Sequence, residues 1–299
     1  MLQLITLITI LFLSPPPLPP PQDFADLLHE APKNAEARTE PRHAFNHISP
    51  ERFLSSVQNA RAYEITDHIA AGVVPHHDTA AAMISGFFAQ AARFEYDTVI
   101  ILAPNHENNA AIVTSYRDWE IGVFAHREFA ADLLAARVGA EIDHEYVERD
   151  HSAAILMPYI EHYLPHTKVA PVLLGRSLGF DGTLRFYDWL KNWVSESGES
   201  VLLVASVDFS HFLDVPNAAE HDRITWEAIL ARDYLKIHAM NSSFLDSAAA
   251  MIVWLNYLHD LGIEPRLIDR KSSADFVAGL EQVTTYKVIV GGALPLFSD

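Results

Sequence analysis

The sequence contains no cysteine. That absence excludes disulfides, thiolate metal ligands, iron–sulfur clusters and a cysteine nucleophile. Positive charge is also scarce. The chain carries 21 Lys and Arg against 39 Asp and Glu, a formal net charge of −18. It therefore lacks the basic surface that phosphate backbones and anionic lipids require, which argues against nucleic acid as a partner and against docking on acidic membranes. The apolar run LQLITLITILFL at residues 2–13 would span roughly 18 Å as a helix, short of a hydrocarbon core of about 30 Å. No G-x-x-x-x-G-K-[ST] or G-x-G-x-x-G occurs, so a P-loop and a dinucleotide fingerprint are absent.

What is present is enough for a packed core: 49% of residues are apolar and 20% charged. Three regions are expected. Residues 1–22 join the apolar run to the spacer SPPPLPPPQ and have the length of an export signal or membrane tether, without a preceding Lys or Arg or a small-x-small cleavage site. That segment implies export or tethering or, if translation begins further on, a cytoplasmic protein. Residues 23–50 are polar and expected to be a poorly ordered lead-in. Residues 51–299 read as one domain, since no second linker divides them. In that domain apolar, β-branched runs at 65–74, 98–102, 168–174, 200–206 and 286–294 alternate with helical spacing at 79–94, 127–138, 152–164, 181–196, 224–240 and 247–262. This alternation predicts a single α/β domain with a mixed, mostly parallel sheet flanked by helices. AIVTSY (111–116) and WEIGVF (119–124) are expected to form an appended hairpin. Phe186, Tyr187, Trp189 and Trp193 fall at helical spacing and predict a core stripe. The charges at 143–150 predict a solvated face.

The chain has 16 His, and without Cys any metal must be held by imidazole, carboxylate and water. Three predicted strands end in such groups: His76, His77 and Asp78 after the first, Asn105, His106 and Glu107 after the second, Asp208 and His211 after the fourth. Ligands of open α/β sheets gather beyond the carboxyl ends of strands, so the fold itself would bring these together. Imidazoles with a carboxylate leave open positions of the kind used by non-haem Fe(II) oxygenases and catalytic zinc. Asp208 and His211 can face one site as ligand, imidazole-orienting acid or proton shuttle. Asp150 and His151 precede a helical stretch, with Asp150 a candidate cap.

In order, PHHD, APNH, DHSAA and VDFSHF resemble the Memo-like family, also termed AmmeMemoRadiSam system protein B, whose pattern runs P-H-A-G, G-P-[ST]-H, E-H-S-x-E, S-S-D-F-S-H. The family is similar in fold to class III extradiol dioxygenases, which use non-haem Fe(II). The resemblance implies His76 and His106 as metal ligands, Asp208 and His211 lining the same cleft, and His151 approaching it from a helix. It also implies a divalent cofactor, Fe(II) first with Cu or Zn as alternatives, a small-molecule substrate, and an association with radical-SAM and AMMECR-type proteins. The departures are specific. Asp78 stands at the family glycine, and His77 follows His76, leaving open which of the pair faces the metal. Ala154 replaces the second acid. Many members place a Cys near the start of a late helix, where this chain reads DSAAAMI around Ala248. Either Asp208, Asp78 or His211 completes the coordination, or the site has decayed. The resulting expectation is a metal-dependent oxidoreductase with His211, His151 and Asp208 as its catalytic groups. The alternatives are a non-catalytic metal-binding or scaffold protein and a metal-assisted hydrolase.

Overall fold

Strands made almost wholly of Val, Ile, Leu and Ala require cover on both faces. A computed structural model describing residues 41–293 shows that they have it. The apolar segment and Pro-rich spacer of 1–22, and the lead-in as far as residue 40, lie outside the described residues. The helices are α1 (Pro50–Gln58), α2 (Ala81–Ala91), α3 (Arg127–Ala135), α4 (His144–Arg149), α5 (His151–Ala154), α6 (Met157–Tyr163), α7 (Gly179–Ser197), α8 (Val215–Leu230), α9 (Tyr234–His238) and α10 (Ala248–Asp260). The strands are β1 (His68–Val74), β2 (Thr98–Pro104), β3 (Ile112–Thr114), β4 (Phe124–Ala125), β5 (Ala140–Ile142), β6 (Lys168–Leu174), β7 (Val201–Ser206), β8 (Arg266–Ser272) and β9 (Thr285–Ala293).

These strands form one nine-stranded sheet in the order β5-β3-β6-β2-β7-β1-β9-β8, with β4 also paired to β6. The central four, β6, β2, β7 and β1, are mutually parallel, while β9 runs antiparallel to β1 and β8 to β9. Along β2 the side chains divide by the period of two: Val99 and Ile101 enter the core on one face, Ile100 and Leu102 the core on the other. The first core packs Phe87 and Phe88 of α2 and Tyr159 of α6, the second Phe186 of α7 and Trp254 of α10. Gly72 of β1 has no room for a side chain, because a Cβ there would strike the Phe87 ring. The aromatic stripe lies where helical spacing placed it. Trp189 and Trp193 pack on the second core, and their rings meet that of Phe129 at 5.3 and 4.8 Å between centroids. The long helix α7 ends at Gly198, whose φ of 68° supplies the left-handed cap.

Two expectations are corrected. Residues 111–124 are not a hairpin: β3 pairs antiparallel and β4 parallel with the same strand β6, and neither pairs with the other. The Asp118 carboxylate accepts the Ala125 amide of β4 at 3.0 Å. Residues 41–50 are not a poorly ordered lead-in. His43 is fully buried against Trp119, with Nε2 at 2.7 Å from Ser115 Oγ and Nδ1 at 3.2 Å from Glu148 Oε2. His47 donates to the Glu148 carbonyl at 2.6 Å, and Ser49 caps α1 with Pro50 in its first turn. Among the described residues no helix is long and apolar enough to cross a membrane.

Candidate metal centre

The parallel strands β1, β2 and β7 deliver their following residues to one end of the sheet. After β1 the chain passes through Pro75, and His76 is buried with its amide donating to Asp208 Oδ1 at 3.1 Å. His77 is half exposed. Its Nδ1 accepts the Thr79 amide at 3.2 Å and caps the short turn at Asp78–Ala80. His77 lines the cleft but belongs to neither group of donors within metal-binding reach of one another. Asp78 is half exposed and lies beside Arg52, outside both groups.

After β2, His106 meets Asp150. Its Nδ1 lies 3.1 and 3.2 Å from the two Asp150 oxygens, so the ring donates there and Nε2 keeps its lone pair. Asp150 also accepts from the Tyr146 hydroxyl at 2.8 Å and from the Ser152 hydroxyl at 2.6 Å. Burial opposes its ionisation, but the hydrogen bonds with His106 and Ser152 outweigh it and hold this carboxyl well below the usual range. Asp150 is therefore a buried anchor of the site and not part of a solvated face. It also caps α5 through the Ser152 amide, which aims His151 at the start of that helix toward His106. The two rings stack at 4.7 Å between centroids and 16° between planes. Burial, with the positive charge of His76 beside it, lowers the His151 pKa to about 4, so this imidazole is neutral at pH 7.

After β7, the chain places Asp208 beside His76. A residue absent from the sequence reading completes the arrangement: Asp246, just before the Ser247 cap of α10. Its Oδ2 is 3.1 Å from His76 Nε2, while Asp208 Oδ2 is 3.9 Å away. DSAAAMI was read only as the place where a sulfur is missing; the acid two residues before Ala248 was the available signal. Burial works to lower the His76 pKa, but the carboxylates of Asp208 and Asp246 outweigh it and raise it to about 9. Asp208 itself is raised, chiefly by burial.

His211 lines the same cleft outside both donor groups. Its Nδ1 donates to the Ser242 carbonyl at 3.1 Å, which leaves Nε2 as the proton acceptor of the neutral ring.

His76 thus stands where two groups meet. One is His76, His106 and His151, the other His76, Asp208 and Asp246, with the ligand atoms of each within 4.8 Å of one another. Three imidazoles and two carboxylates suit a borderline divalent ion. The fit has a further mark: Asp246 Oδ1 is buried with no hydrogen-bond partner among the described residues, a state that costs free energy unless a donor or cation reaches it. A cation is already drawn to this point, as the proton on His76. The cleft in front of these groups has a volume of about 910 Å³.

Comparison with known proteins gives a match to the family model described as Memo-like protein over residues 45–290. A MEMO1 family protein from Archaeoglobus fulgidus is 24% identical over 259 residues, covering 83% of this chain and 96% of the relative. Another from Methanosarcina mazei is 28% identical over 193 residues, covering 60% and 70% respectively. Among solved structures, an uncharacterized protein from Escherichia coli K12 matches with a TM-score of 0.49 and 11% identity, over 73% of this chain and 99% of that one.

Proposed function

The chain belongs to the Memo-like protein family, and we propose that it holds a divalent metal, Fe(II) before Cu or Zn, and acts as a metal-dependent oxidoreductase on a small molecule. The observation that carries this reading is His76 at the meeting point of the imidazole and carboxylate groups, with the unpaired Asp246 Oδ1 beside it. When bound, such an ion supplies Lewis acidity and, for Fe or Cu, one-electron redox chemistry.

This chain's own residues supply the rest. His76 and His106 offer Nε2, and Asp150 fixes the orientation and tautomer of the His106 ring. Asp246 takes the part of the carboxylate that replaces the missing sulfur, and Asp208 positions His76 through its backbone amide. His151, neutral at pH 7, is available as a third imidazole or as a proton acceptor. His211 accepts protons at Nε2 from the cleft wall. A second reading, a non-catalytic scaffold, is favoured by one observation: the His76–Asp246 ion pair at 3.1 Å neutralises both groups without a metal.

Metal analysis of the full chain purified without chelator separates the two, with His76→Ala, His106→Ala and Asp246→Ala alongside. Stoichiometric Fe, Cu or Zn in the wild type and its loss in the variants is the expected result. A wild-type protein that neither retains nor takes up these ions leaves the scaffold reading standing.

A further inference from the structure

Beyond Asp246 lies a second, smaller cavity of about 230 Å³. It shares Leu174, Arg176 and Asp246 with the large cleft, and much of its remaining wall is small: Gly175, Gly179, Ala248 and Ala249. An engineered cavity of about 150 Å³ accepts a benzene molecule, so this space is large enough for a small organic molecule. Of the Lys and Arg among the described residues, Arg176 alone lines either cavity. It is exposed, and among the described residues no carboxylate pairs with it, whereas Arg149, Arg223 and Arg232 each hold at least one. The turn that delivers Arg176 from the end of β6 is fixed, because a side chain at Gly175 would strike the Ala110 carbonyl.

A free guanidinium at the mouth of a cavity, in a chain of net charge −18, calls for an anion. Its forked donors match the oxygens of a carboxylate or phosphate. The Asp246 carboxylate on the same wall does not cancel this, since it is paired with His76. His238 is the other basic group on the cavity wall.

We propose that the smaller cavity is the substrate subsite of the candidate metal centre, and that Arg176 selects a small molecule bearing a carboxylate or phosphate. The role of that molecule as substrate rests on the metal reading; its capture by Arg176 does not. The test is titration of the full chain with propionate and with inorganic phosphate, with propionamide as the neutral control. Wild type, Arg176→Gln and Arg176→Lys are compared, and metal content is measured on the same samples.

At least one anion should bind more tightly than propionamide, and Arg176→Gln should weaken it about tenfold or more. The preferred anion identifies the oxyanion. Arg176→Lys should keep more of the affinity for phosphate than for propionate, because only Arg presents the bidentate fork. Anion affinity unchanged in Arg176→Gln, or no anion binding better than propionamide, overturns the proposal. Absence of metal from the wild type alongside Arg176-dependent anion binding overturns the metal reading and leaves the anion subsite in place.

Discussion

Asp208 and Asp246 are joined by two hydrogen bonds running in opposite directions. The Asp246 amide donates to the Asp208 carbonyl at 3.1 Å, and the Asp208 amide donates to Asp246 Oδ2 at 3.2 Å. The loop after β7 and the turn before α10 are thereby held as one unit. Both carboxylates are confined beside His76, and their repulsion is offset by the proton that His76 carries.

Asp246→Asn removes one of the two charges that keep His76 protonated. In chelator-treated protein, the His76 pKa should fall from about 9 toward its ordinary 6.5, read from ring resonances in a pH titration by NMR. Metal affinity should drop about 10- to 100-fold or more, the range seen when a group supporting a metal ligand is lost. An unaltered His76 titration would show that Asp208 alone holds the proton.

Asp150→Asn replaces the anion that fixes His106 and caps α5. A loss of metal affinity of about 10- to 100-fold is expected, with about 1 kcal/mol or more of stability lost as the charge-assisted hydrogen bonds with His106, Tyr146 and Ser152 become neutral ones. The pH dependence has a definite sign. The folded-state pKa lies below the ordinary 3.8, so the contribution of this group is complete above that value and disappears as pH falls through the lower one. Urea unfolding of wild type and variant should therefore converge at acid pH.

Lys287, almost wholly buried, lies with Nζ 2.7 Å from Asp222 Oδ2 and 3.9 Å from the centroid of the Phe209 ring. Burial lowers its pKa from 10.5 to about 8, against the opposing charge of Asp222. Below that value both the folded and unfolded chains carry the proton, and the cost of burial is constant. Between about 8 and 10.5 the unfolded chain binds more protons, so the contribution of this group to stability rises with pH. The stability of wild type relative to Lys287→Met should increase across that interval in a series of denaturant unfolding curves. Asp222→Ala strands the ammonium and should cost about 3–5 kcal/mol at pH 7.

The central strands were legible because β1, β2, β6 and β7 are buried on both faces and read as unbroken aliphatic runs. The edge elements were not. β5 is three residues long, and β8 carries Arg266, Asp269, Arg270 and Lys271, so neither shows such a run. The failed hairpin has a similar cause: β3 and β4 have three and two residues of pairing with β6, which no local pattern encodes. At the site, strand ends indicated where His76, His106, Asp208 and His211 would gather. They did not distinguish His76 from His77, since that depends on Asp208 holding the His76 amide from a loop 132 residues away while the His77 ring caps the following turn. Asp246 was hidden because its place beside His76 is set by hydrogen bonds to a loop 38 residues away. The segment at residues 41–50 looked featureless because His43, His47 and Ser49 act through single polar contacts with no periodicity.

The pairing of β1 with β9 orders events in time as well as in space. β1 ends at Val74 and β9 begins at Thr285, 211 residues later, so the partners at Ile289–Ala293 leave the ribosome long after His68–Val73 have done so. Until then, β1 has an open edge on the side away from β7, and the loop bearing Asp208 lacks the Thr285 and Lys287 contacts that brace it from below. Contacts so distant in sequence close late and slowly. The donor cluster around His76 is therefore assembled only after β9 has been made, and a cation present during synthesis meets a finished binding place only once residues 289–293 have joined the sheet.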